Sequence, residues 1–123
     1  MYELSVEREF AAAHRLKGYQ GPCENLHGHN WKVGVKVESE SLNDFGMVMD
    51  FKDLKALVQE AVDALDHKYL NEVPPFDREN PTTENLARHL CEGLSARLPP
   101  GIRLARVEVW ESSRAGAAYV PEE

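Results

Sequence analysis

With 123 residues, 42% of them hydrophobic and 28% charged, the chain has the size and composition of one globular domain that builds a core without disulfide staples. A formal net charge of −7 excludes the basic footprint of a nucleic-acid binder, although a few local cations can still hold a phosphorylated small molecule. Two cysteines, a first segment without a signal-peptide pattern and the lack of any apolar run near the roughly 20 residues of a membrane helix together predict a reduced, cytoplasmic, membrane-free protein.

Residues 2–10 alternate, with Tyr2, Leu4, Val6 and Phe10 on one face, Arg8 as the exception, and Glu3, Ser5, Glu7 and Glu9 on the other. This predicts a half-buried strand. A loop over 15–26 holds Gly18, Gly21 and Pro22. Residues 29–38 alternate again, with Trp31, Val33, Val35 and Val37 on one face and lysines on the other. Paired antiparallel, the acids of the first strand and the lysines of the second offset each other. Asn43 to Gly46 reads as a turn, and Asp50 as the N-cap of a helix whose stripe is Phe51, Leu54, Leu57, Val58, Ala61, Val62 and Leu65, ending near Asp66.

The prolines in 71–81 predict a loop. A second helix starts at Thr82 or Thr83, carries Leu86, Leu90, Leu94 and Leu98, and stops at Pro99-Pro100-Gly101. Residues 102–111 predict a strand with Ala105, Val107, Val109 and Glu111 on one face. After a turn, residues 117–120 predict a short fourth strand. Runs of strands, then helices, then strands predict an α+β fold with exposed sheet edges, which such proteins hide by oligomerising.

His27 and His29 are two apart in an extended segment and aim at one point, with Gly28 leaving the space between them clear. His14, at the end of the neighbouring strand, is the natural third ligand. Three neutral imidazoles around zinc leave a fourth position open, the pattern of a catalytic site. Cys23 can be read as a ligand, a nucleophile, a general base or a plain loop thiol, and Glu24 rivals it as a base. Cys91, beside the leucine stripe, reads as core. Asp66-His67 is either a carboxylate that fixes an imidazole tautomer or a helix C-cap. Glu111, continuing an apolar stripe, is either an exposed strand end or a carboxylate placed to grip a planar heterocycle. His89 reads as a helix-surface residue.

Several segments in order carry a resemblance: Phe10 to Leu16, Cys23 to His29, Met49-Asp50-Phe51, Leu65 to Asn71, Asn80 to Glu84, and Glu111. Together they resemble the 6-pyruvoyl and 6-carboxy tetrahydropterin synthases over nearly the whole chain, as one domain spanning 1–123. The resemblance implies a four-stranded antiparallel sheet with two helices on one face, three subunits closing a barrel, and active sites between subunits of a trimer or hexamer. It implies Zn2+ on His14, His27 and His29, catalysis by Cys23 with Asp66 and His67, and substrate binding by Glu111, Thr82 and Thr83. The implied substrate is 7,8-dihydroneopterin triphosphate; which cations meet its phosphates stays open, with Arg15, Lys17 and Arg114 as candidates. The gap between Cys23 and His27 is Glu24-Asn25-Leu26, a length that favours the branch making 6-carboxytetrahydropterin on the way to queuosine-type deazapurines. The runner-up is the pyruvoyl product, and a zinc-binding module without catalysis is the distant alternative.

Overall fold

The computed structural model describes residues 1–21 and 25–122. The expectations for Cys23 and Glu24 therefore fall outside the described residues. The described elements are β1 (Tyr2–His14), β2 (His27–Ser39), α1 (Phe51–Asp63), β3 (Lys68–Tyr69), a 3-10 turn (Leu70–Glu72), α2 (Thr83–Ser95), β4 (Arg103–Trp110) and β5 (Gly116–Tyr119).

The strands form one open, mixed sheet in the order β3-β1-β2-β4-β5. The expected sheet of four antiparallel strands is thus corrected to five, because β3 adds two residues parallel to β1 at Ala12 and Ala13. Both long strands also run further than their alternation predicts. Ala11-Ala12-Ala13 masks the period by size, yet every residue from Tyr2 to His14 pairs antiparallel with one from Ser39 back to His27. This extension sets His14 directly opposite His27.

Even-numbered residues of β1 and odd-numbered residues of β2 face the helices, so Val6, Phe10, Trp31, Val33, Val35 and Val37 form the sheet side of the core. On the other face, Glu9 lies opposite Lys32, and Lys36 Nζ is 3.9 Å from Glu3 Oε1. Exposed pairs of this kind contribute about 0–1 kcal/mol. The predicted inward face of β4 needs one correction. A register shift opposite Lys36/Val37 leaves Ala105 unmatched, so Leu104 rather than Ala105 joins Val107 and Val109 in the core.

Asp50 caps α1 through its side chain, which accepts from Lys52 N–H at 2.8 Å, and the helix buries Leu54, Val58 and Val62. It stops at Asp63, three residues before the predicted end, and Phe51 is exposed. Thr82 caps α2, which buries Leu86, Ala87, Leu90, Cys91 and Leu94. His89 is half-buried with its ring edge-on to Phe76, not on the surface. α1 packs on β1 and α2 on β4 and β5, which leaves the sheet's other face to charged side chains. No described helix is long and apolar enough to cross a membrane.

Candidate metal centre and its surroundings

His14, His27 and His29 each offer one ring nitrogen, and these three atoms lie within 4.8 Å of one another. The backbone places them. His14 and His27 are cross-strand partners, and His29 is the next residue of β2 on the same face. Beneath them Trp31 is fully buried. Its ring stands nearly perpendicular to His14 and His29, at 4.8 and 5.0 Å, and is stacked on Phe10. Its indole N–H donates to the Ala12 carbonyl at 3.1 Å, so the aromatic floor is tied to the strand that carries His14.

Two hydrogen bonds assign tautomers. His14 Nδ1 lies 2.8 Å from the Pro81 carbonyl, and His27 Nδ1 lies 2.7 Å from the Asn25 carbonyl. A carbonyl only accepts, so both Nδ1 atoms carry the proton, and each neutral ring points a lone pair from Nε2. Those two Nε2 atoms are 3.0 Å apart. Two lone pairs at that distance repel unless a cation lies between them. Nitrogen ligands of tetrahedral zinc, at roughly 2.0–2.1 Å from the metal, stand about 3.3 Å apart. Among the described residues His29 Nε2 is buried and has no hydrogen-bond partner, and Glu111 Oε2 lies 3.7 Å from it. Three neutral imidazoles whose free nitrogens converge, each held from behind or from below, fit a divalent metal of borderline softness. Burial lowers the pKa of His14, opposed by the Pro81 carbonyl and Glu111 and helped by His27 and His29, and burial lowers that of His29 against the pull of Glu111, with His27 adding to the lowering. Both shifts favour the neutral, ligating form of the ring.

Asp66 and His67 form a pair of their own. Asp66 Oδ2 lies 2.9 Å from His67 Nδ1, while Asp66 Oδ1 accepts the Ala11 N–H at 2.8 Å. The Ala11 N–H is the main cause of the lowered Asp66 pKa, with His67 adding to it. His67 N–H in turn bonds the Ala11 carbonyl, and the residue sits at φ 57, in the left-handed region. Because α1 ends at Asp63, the pair is not its C-cap. The His67 ring is mostly exposed at the edge of β1, and no described hydrogen bond or ion pair joins it to the three histidines. An open groove of about 530 Å³ nonetheless touches both His29 and His67. A larger cavity of about 670 Å³, lined by Phe45, Met47 and Arg97 among others, holds none of the predicted site residues.

Glu111 follows β4 and approaches the cluster from the side of His29. Thr82 Oγ1 accepts from Asn85 N–H at 3.0 Å as the helix cap, and Thr83 Oγ1 donates to Glu84 at 2.8 Å. The group in this stretch that touches the histidines is the Pro81 carbonyl, which the sequence reading passed over. A backbone acceptor has no signature in side-chain types. Asn71 and Asn80 stand in segments that carry the resemblance, but neither was given a role of its own.

A three-imidazole cluster at the end of a long antiparallel strand pair, backed by two helices, defines an α+β protein whose three histidines could hold a metal ion. The family model for 6-pyruvoyl tetrahydropterin synthase matches residues 3–122. The chain is 40% identical over 107 residues to dihydroneopterin monophosphate aldolase of Pyrococcus furiosus, covering 87% of each. It is 38% identical over 124 residues to 6-carboxy-5,6,7,8-tetrahydropterin synthase of Synechocystis, covering 97% of this chain and 93% of that protein. It is 37% identical over 134 residues to human 6-pyruvoyl tetrahydrobiopterin synthase, covering 98% and 92%. The structure of Caenorhabditis elegans 6-pyruvoyl tetrahydropterin synthase superposes with a TM-score of 0.84 at 30% identity, covering 99% of this chain and 98% of that one. The chain belongs to the 6-pyruvoyl tetrahydropterin synthase family.

Proposed function

We propose that this protein is a zinc-dependent lyase that converts 7,8-dihydroneopterin triphosphate and one water to 6-carboxy-5,6,7,8-tetrahydropterin, releasing acetaldehyde and triphosphate. The observation that carries the reading is the convergence of three bare imidazole nitrogens beside the Glu111 carboxylate, in a chain of this family. His14, His27 and His29 would hold the zinc, which when bound acidifies the side-chain hydroxyls of a substrate and the C–H bonds beside them. One hydrophobic cluster runs through the sheet and both helices, which supports reading residues 1–123 as one domain.

The chain's own groups divide the remaining work. Glu111 accepts the paired N–H donors of the amino-pyrimidinone ring and fixes its orientation. Thr82 and Thr83 line the ring's pocket. Cys23 takes a proton as thiolate. His67, held in one tautomer by Asp66, passes a proton from an exposed ring. The separation of His67 from the three histidines supports an active site assembled between copies. In that assembly the Asp66–His67 pair of one subunit meets the metal centre of the next, in a trimer or hexamer whose barrel closes the sheet edges. A cytoplasmic setting and a role in deazapurine (queuosine) precursor synthesis belong to the same reading.

Breaking the side-chain carbon–carbon bond is favoured over elimination alone by the gap between Cys23 and His27, which is three residues, Glu24-Asn25-Leu26, the length that the resemblance gives to the carboxy branch. A second reading, aldol cleavage of a dihydroneopterin monophosphate, is favoured by the relative of that name. Incubating the zinc-loaded protein separately with the triphosphate and the monophosphate, with mass spectrometry and aldehyde trapping, decides. The expected result is 6-carboxytetrahydropterin and acetaldehyde from the triphosphate. A pyruvoyl product without acetaldehyde, or turnover of the monophosphate alone, overturns the assignment.

A further inference from the structure

Two asparagine side chains grip the exit of β1. Asn71, buried, accepts the Arg15 N–H through Oδ1 and donates from Nδ2 to the Arg15 carbonyl, both at 2.9 Å. Asn80 does the same to Lys17, accepting the N–H at 2.8 Å and donating to the carbonyl at 3.0 Å. An extended residue presents its N–H and C=O on the same side, and a carboxamide offers the matching acceptor and donor. Asn71 therefore acts as a single rung that continues the ladder one residue past β1, and Asn80 makes the same paired contact with Lys17 in the turn that follows.

The grip bears on the histidines directly. Arg15 follows His14, so Asn71 fixes the peptide that leaves His14. Asn80 precedes Pro81, whose carbonyl receives the His14 Nδ1–H at 2.8 Å. The Asn80 carbonyl is itself tied to the start of α2, accepting from Asn85 Nδ2 at 2.8 Å and Thr82 N–H at 2.9 Å. With Lys17 clamped and α2 anchored, the Pro81 carbonyl has one place to be, and that place selects the tautomer of His14.

We propose that Asn71 and Asn80 are positioning residues of the metal centre, acting through His14. Asn71 fixes its backbone, and Asn80 fixes the carbonyl that keeps its Nδ1 protonated and its Nε2 free. The functional weight of this inference rests on the metal reading above. A carbonyl behind a ligating imidazole is the kind of outer partner whose loss costs 10–100-fold in metal affinity.

Asn80 carries the test, because deleting the buried Asn71 can prevent folding altogether. Asn80→Ala removes the clamp. Asn80→Gln keeps the amide and moves it one methylene too far. For the full chain, 15N spectra of the His14 ring are recorded without metal. Cobalt(II) spectra and competition with a chelator follow, with the thermal midpoint alongside. The expected result is a His14 signal shifted from the pure Nδ1–H form toward mixed tautomers and cobalt held 10–100-fold more weakly, for both variants. A His14 signal identical to wild type in both variants overturns the proposal, whatever the thermal midpoint does. If wild-type protein and His27→Ala take up cobalt equally poorly, the metal reading fails alone, and the ring spectra still decide the clamp.

Discussion

Replacing His27 by Ala takes away one of three imidazoles while leaving the core intact, since the ring is only partly buried and lies past Trp31 at the strand's end. Elemental analysis should find about one zinc per wild-type chain and almost none in His27→Ala, with unchanged far-UV circular dichroism; equal zinc in the two ends the assignment. Asp66 gives a pH prediction. Its folded pKa is depressed by the Ala11 N–H and then by His67, so the folded state binds its proton less readily than the unfolded state. Its stabilisation is present above the ordinary aspartate pKa and is lost as pH falls through the lower folded value. Urea midpoints of wild type and Asp66→Asn should differ at neutral pH and converge in strong acid; a constant gap contradicts the linkage. The three histidines were legible because His-x-His on a strand forces a common direction and a third His ended the strand before it. The exposure of His67 and its lack of a described bond to the three histidines were not, because they depend on where a turn falls after α1.

At the scale of elements, Thr82 joins two of them. Its hydroxyl caps α2, and the residue before it supplies the carbonyl on His14. Thr82→Ala should cost about 1 kcal/mol of stability, and Thr82→Ser should restore it, read by chemical denaturation. No loss in the alanine variant would mean that the cap bond contributes nothing. The strand pair and both helices could be read from periodicity, because one face of each is buried. The errors have local causes. Alanines hide a period of two, so β1 looked four residues short. A two-residue strand such as β3 has no period at all. A register shift beside Leu104 turns the inward face by one residue, which no alternation pattern shows in advance.

For the whole molecule, the outer side of β1 before Ala12 has no strand partner among the described residues, nor does the outer side of β5. Unpaired edges of this length are rarely left bare in a stable protein. Light scattering should therefore find a trimer or a multiple of three. A monomer at micromolar concentration would leave the edges bare and the Asp66–His67 pair without a metal centre to meet. The open sheet itself was foreseen from the order of elements, but the count of subunits came only through resemblance, because edge pairing between copies leaves no mark in one chain's pattern. The asparagine grip has one more consequence, for how such a chain can change. Lys17 is held under Asn80 and His27 lies in β2, so both ends of the connection between them are set by the fold. Doubling the length of a connection costs only about 0.6 kcal/mol. Its length can thus vary while His14, His27 and His29 stay where they are, which makes loop length a cheap variable for chains built on one scaffold.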